Sequence, residues 1–187
     1  MRVRGVMAAV AAVATLGTAT LAGQEPLRAG VLGSPTVGRS APEIVLPYFT
    51  AQGPGPADQP FRLGAELGRV VILVFGGKAD SAAAGDWAAV KARTDSLVGR
   101  NVIAAGLIRG SPERTLEIAA GLPDFKLLAD QDGRAHRNYG IAESTRSWSA
   151  FVVSDDGRLV WFGRISARGS EGWAAVRSAV SKGRTAG

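Results

Sequence analysis

Residues 69–75, RVVILVF, are an almost unbroken run of β-branched and aliphatic side chains, and this run constrains the fold more than any other feature of the chain. A strand that is apolar at successive positions has no polar face to give to water. Both of its faces must be covered, as in a central strand flanked by helices. Gly76 and Gly77 follow, and then a stretch of helical period. Trp87, Val90, Thr94 and Leu97 recur at i, i+3, i+7 and i+10 and make one buried stripe, with Asp80 or Ser81 as its cap and Gly99 as its stop.

The pattern then repeats. Residues 101–108, NVIAAGLI, read as a second buried strand. Ser111 caps a helix with Pro112 at its first position and Glu113 at its positive end, which turns Leu116 and Ala119 or Ala120 inward and ends at Gly121. Residues 125–130 are a third strand candidate and 134–141 a short helical turn. Segments 149–153 and 158–163 flank Ser154-Asp155-Asp156-Gly157, a hairpin signal. A last helix is expected from Ser170, burying Trp173, Val176 and Val180. Upstream, 41–49 is a short apolar strand bounded by prolines, 51–60 a turn-rich loop without pattern, and 61–67 a short strand and a turn. Strands alternating with helices demand a parallel sheet, and the hairpin makes it mixed. The expected class is α/β, with a central mixed sheet and helices on both faces.

The 187 residues suit one globular domain, expected over 41–182. Residues 1–23 read as a signal peptide, with Arg2 and Arg4 before an apolar stretch and small residues at Thr20-Leu21-Ala22. An uncleaved anchor is the weaker alternative, because glycine and threonine punctuate the apolar run. Residues 24–40 are a flexible lead-in and 183–187 a tail. The expected location is therefore exported, periplasmic or extracellular, with no stable membrane insertion after cleavage. Without Arg2 and Arg4 the formal charge of +6 falls to +4. The basic residues are scattered among acidic ones, with no aromatic-basic face, so no nucleic-acid partner is implied. The chain contains no cysteine. That excludes disulfides, thiolate catalysis and cysteine-ligated metals in a compartment that would permit them.

Four stretches, VGRSAPEIVLP (37–47), RVVILVFGGK (69–78), FKLLADQDGRAHRNYGI (125–141) and SAFVVSDDGRLVWFG (149–163), stand in an order and at a spacing that resemble the thioredoxin-like superfamily. Within it they resemble the peroxiredoxins of the alkyl hydroperoxide reductase and thiol antioxidant (redoxin) kind. The resemblance spans about residues 37–180, and exported thiol-disulfide oxidoreductases share most of the framework. It implies a thioredoxin-like fold and an antioxidant peroxidase ancestry. It also implies a proline, a threonine and the reactive cysteine after the strand at Phe75, where this chain has Gly77, Ser81 and Ala84. The arginine that polarises the peroxide falls at Trp148, and Arg146 lies two residues earlier. The paired cysteines of the thioredoxin branch would fall near Asp80 and Ala83.

The family needs sulfur because a helix N-terminus lowers a thiol's pKa, and the thiolate is both nucleophile and redox element. Alanine has no electron pair for a peroxide, and serine makes no equivalent reversible bond. The catalytic set is therefore expected to be empty, with Gly77, Ser81, Ala84 and Trp148 as vestigial positions. Lys78, Asp80 and Arg146 are the candidates for any non-thiol chemistry in the same cleft. GGK (76–78) is not a phosphate loop, since Ile72 stands where a glycine is needed. Asp80 is read as a cap and Lys78 as solvated. His136, with Asp130, Asp132 and Glu143 nearby, matches neither a zinc nor a calcium spacing and is read as a surface residue.

No metal and no cofactor are implied. Trp87 and Trp173 are assigned to the core, while Trp148 either packs or lines a groove. Trp161 and Phe162 point to opposite faces. The expected function is a redox-inactive binding or scaffold module for an unknown protein or small-molecule partner, with oligomerisation open. The alternatives are a thioredoxin-fold oxidoreductase or other enzyme using non-thiol residues in the same cleft, or a structural or assembly protein with an exposed apolar patch around Phe49, Trp161 or Phe162.

Overall fold

The computed structural model describes residues 35–78, 83–142 and 144–184. The segments expected as signal peptide and most of the lead-in, together with Asp80, Ser81 and Glu143, lie outside the described residues.

The apolar run becomes β5 of the nine strands among the described residues: β1 (Val45–Leu46), β2 (Tyr48–Thr50), β3 (Gly53–Pro54), β4 (Phe61–Arg62) and β5 (Val70–Lys78), then β6 (Val102–Arg109), β7 (Lys126–Ala129), β8 (Trp148–Val153) and β9 (Leu159–Ile165). Between them lie a 3₁₀ turn (Leu63–Glu66) and helices α1 (Ala83–Asp95), α2 (Pro112–Ala119), α3 (Arg134–Asn138) and α4 (Trp173–Lys182). The main sheet has the order β3-β2-β7-β6-β5-β8-β9. Strands β5, β6 and β7 run parallel, as helical crossovers require. Strands β8 and β9 form the antiparallel hairpin beside β5.

Alternation along β5 divides the core in two. Val70, Ile72 and Val74 meet Trp87 and Val90 of α1, Ile118 of α2 and Trp173 and Val176 of α4. Val71, Leu73 and Phe75 meet Tyr139, just after α3, together with Ile44 and Phe61. Helices thus cover both faces, the second through one short helix and the two-stranded ribbon of β1 and β4.

Three expectations are corrected. The strand over 41–49 divides at Pro47: β1 pairs with β4 in the ribbon, while β2 joins the main sheet antiparallel to β7. Proline cannot donate to a ladder, but its carbonyl still accepts from the Ala129 amide. The loop at 51–60 contains β3, which pairs back on β2. The last helix begins at Trp173 and not Ser170, because Gly172 sits at φ 78° with its α-carbon against the Arg164 carbonyl. A Cβ there would lie 2.3 Å from that oxygen, so the chain turns left-handed before the helix starts.

Candidate functional site

The carboxyl ends of β5 and β6, the first turn of α1 and the start of β8 meet at one edge of the sheet, where open α/β sheets place their ligands. β5 runs past Phe75 to Lys78 with an irregularity in its pairing to β6. Gly76 and Gly77 have no ladder partner there among the described residues. Ala84 is the second described residue of α1 and its side chain is exposed. Gly77 lies beside the main chain of Arg146, whose own side chain points out to solvent. Asp80 and Ser81 fall outside the described residues.

Two indoles fill the space behind these positions. Trp87 is fully buried, and Trp148 is half-buried against it, edge to face, with centroids 4.7 Å apart. Trp87 reaches over two adjacent strands only because both carry glycine beneath it. A Cβ on Gly106 would lie 2.4 Å from the Trp87 ring, and one on Gly76 2.6 Å from it. Trp148 therefore does both things the sequence allowed: it packs on the core and forms the wall of a groove.

That groove is a cleft of about 470 Å³ lined by Asp86, Ser147, Trp148, Arg164, Arg168 and Glu171, among others. Its far wall is the loop after β9. There Arg168 Nε donates to Asp86 at 2.6 Å, clasping the loop to α1, while Ser166 Oγ accepts from the Gly169 amide. Trp173 Nε1 donates to the Ser166 carbonyl at 2.8 Å and anchors the loop from below. Sequence reasoning missed this wall because residues 166–169 carry no periodicity and residues 170–172 read as the start of the last helix.

On the opposite face of the sheet the structure corrects the reading of His136. It is 1% exposed, and Asp130 beside it is 0% exposed. Asp130 closes β7 and turns its carboxylate onto the start of α3. Oδ1 accepts the Ala135 amide at 3.1 Å and Oδ2 the His136 amide at 2.8 Å. This cap draws α3 against the sheet with Ala135 and His136 facing inward. The His136 ring then bridges two elements, with Nδ1 2.6 Å from Asp130 Oδ2 and Nε2 3.2 Å from the Gly76 carbonyl oxygen. Its edge meets the Phe75 ring at 5.0 Å.

Burial alone would push the Asp130 carboxyl up. The hydrogen bonds from the His136 ring, the His136 amide and the Ala135 amide, with the charge on the imidazole, outweigh it and hold the carboxyl below its usual range. Among the described residues no three His, Asp or Glu side chains gather as a metal site.

Comparison with solved structures fits this arrangement. A 2-Cys peroxiredoxin from Plasmodium vivax superimposes with a TM-score of 0.65 at 17% identity, over 79% of this chain and 81% of that one. A proposed thiol:disulfide interchange protein DsbE from Chlorobium tepidum gives 0.61 at 14% identity, over 80% and 99%. A proposed protein disulfide isomerase from Bacteroides thetaiotaomicron gives 0.59 at 15%, over 79% and 89%. The chain has a thioredoxin-like fold. No protein-family model matches the sequence, and no curated protein matches it. The thioredoxin-like fold here carries no cysteine at any of its 187 positions. The thiol chemistry of peroxiredoxins and disulfide isomerases therefore has no group in this chain to perform it. Among the described residues no helix is long and apolar enough to cross a membrane.

Proposed function

We propose that this protein is an exported, redox-inactive relative of the peroxiredoxins that serves as a binding module, with the cleft beside Trp148 as its binding site. The observation that carries the reading is the fate of the active-site edge. The sequence resemblance puts Ala84 at the position of the reactive sulfur and Trp148 at that of the guanidinium, and Trp148 forms one wall of a cleft. The cleft falls within the size range of small-ligand sites. Its wall combines one aromatic surface with Arg164, Arg168, Asp86 and Glu171, which suits a small molecule or peptide segment carrying both signs of charge. Export rests on the N-terminal pattern of Arg2, Arg4 and the apolar stretch after them.

The enzyme alternative would draw on Lys78, Asp80, Ser81 and Arg146, and the solvent-facing Arg146 side chain does not favour it. The assembly alternative loses its marker, because Phe49 is buried and Trp161 and Phe162 are each half-buried against opposite faces of the sheet.

Titrating isotope-labelled protein with a tripeptide bearing one acidic and one basic side chain tests the reading. The expected result is saturable amide shifts at Ser147, Trp148 and Arg168, together with movement of the Trp148 indole signal, all lost in Trp148→Ala. Absence of saturable shifts at millimolar peptide, or shifts that persist in Trp148→Ala, would remove the cleft from the proposal.

A further inference from the structure

We infer that Asp130 and His136 form a protonation-gated latch on the end of β5: two protons in the plane of the imidazole hold the Gly76 carbonyl, and loss of either releases the Gly76–Gly77 segment beneath the cleft.

The Gly76 carbonyl can only accept, so the 3.2 Å contact at Nε2 requires a hydrogen on that nitrogen. At 2.6 Å, Nδ1 and Asp130 Oδ2 require a hydrogen between them as well. If it sits on nitrogen, the couple is imidazolium and carboxylate; if on oxygen, imidazole and carboxylic acid. Both arrangements hold the same number of protons and no net charge. Removing one proton leaves a net negative charge on two side chains that are 1% and 0% exposed. The proton-poor tautomer with Nδ1 still protonated also faces the Gly76 oxygen with a lone pair. Asp130 keeps its two amide donors, but each proton-poor tautomer sets a ring lone pair against an oxygen, Nε2 against Gly76 or Nδ1 against Asp130, so the ring must shift or admit water.

Gly76 is where such a release would be felt. It and Gly77 fall between the paired positions Phe75 and Lys78, where the pairing to β6 is irregular, and neither has a side chain to anchor it. The ring of His136 is what ties this carbonyl to the opposite face of the sheet. Directly above, Gly76 supports the Trp87 and Trp148 indoles, so its displacement reaches the wall of the cleft.

Other charged and titratable groups lie around the couple and have contacts of their own. Arg109, at the end of β6, donates to the carbonyls of Ile141 and Ala142. Tyr139 donates its hydroxyl to the Pro42 carbonyl, with Glu43 of the neighbouring segment acting on it electrostatically. On α3 itself, Arg137 donates to the Asp132 carbonyl and the Asp132 carboxylate accepts the Arg134 amide. From β8 the facing polar side chain is Ser149, which is uncharged and opposite Phe75. Lys78 ends β5 two residues beyond Gly76.

The test is a pH titration of the folded full-length protein followed by imidazole nitrogen and backbone amide signals together. The expected result at neutral pH is a hydrogen on Nε2. As pH rises, the amides of Gly76, Gly77 and Lys78 should shift with the same midpoint as the imidazole. His136→Gln, whose carboxamide can donate without titrating, should abolish that amide shift. The latch is overturned by an unprotonated Nε2 at neutral pH, by an imidazole that titrates while these amides stay still, or by one that does not titrate before the protein unfolds. Persistence of the amide shift in His136→Gln overturns it too. If that variant does not fold, the wild-type titration decides alone.

Discussion

Trp87→Ala is expected to lower the unfolding free energy by about 3–5 kcal/mol, the usual cost of removing a large buried aromatic. The indole is fully buried and lies against Gly76, Gly106 and the rings of Phe125 and Trp148. No neighbour can move in to replace it, because the two strands beneath it carry no side chains at those positions. The same substitution frees Trp148 from its edge-to-face contact, so near-ultraviolet circular dichroism should fall as well as the denaturation midpoint. A loss below about 1 kcal/mol in urea unfolding would mean that the site collapses around the cavity. The indole would then not be the wedge that holds α1 on the sheet.

Asp130→Ala should cost a comparable amount, about 3–5 kcal/mol, because it removes one partner of a buried charged couple and leaves the other behind. It also strips two amides at the start of α3 of their acceptor. For a chain of this size the melting temperature should drop by roughly 6–20 °C. The pH dependence follows from the direction of the shift. The Asp130 carboxyl is held below its usual range in the folded protein. Its contribution is therefore complete above the ordinary carboxylate pKa of about 3.9 and is lost as pH falls through the lower, folded value. Thermal unfolding followed from pH 6 downward should show wild-type stability falling through this window, with a shallower slope in Asp130→Asn. Equal slopes in the two proteins would remove Asp130 from the acid response.

The parts of the fold legible in the sequence were those set by periodicity. The run at 69–75, the Trp87-Val90-Thr94 stripe, the hairpin at Asp156-Gly157 and the Ser111-Pro112 helix start each follow from a local rule, and each stands where the rule puts it. What local rules cannot see is long-range pairing. β3 is two residues long and exists because β2 needs an edge partner. β5 outruns its apolar segment because Lys78 pairs again with Arg109 after a shift in register.

The site divides in the same way. The lack of cysteine is a property of composition and can be read without coordinates. His136 was misread as a surface residue because a lone histidine on a short polar turn carries no apolar pattern. Only the three-way meeting of Asp130, His136 and the Gly76 carbonyl reveals its burial. The cleft was equally invisible, since Asp86 and Arg168 lie far apart in sequence and meet only once α1 and the loop after β9 have packed.

The chain combines a thioredoxin-like fold with the absence of any cysteine, and so of any thiol for redox chemistry. The most direct measurement is peroxide consumption and disulfide reduction by the purified protein, supplied with thioredoxin, glutaredoxin and glutathione as reductants. The account predicts rates equal to those of heat-inactivated protein for both reactions. Turnover above that control, proportional to protein concentration and lost on unfolding, would contradict it.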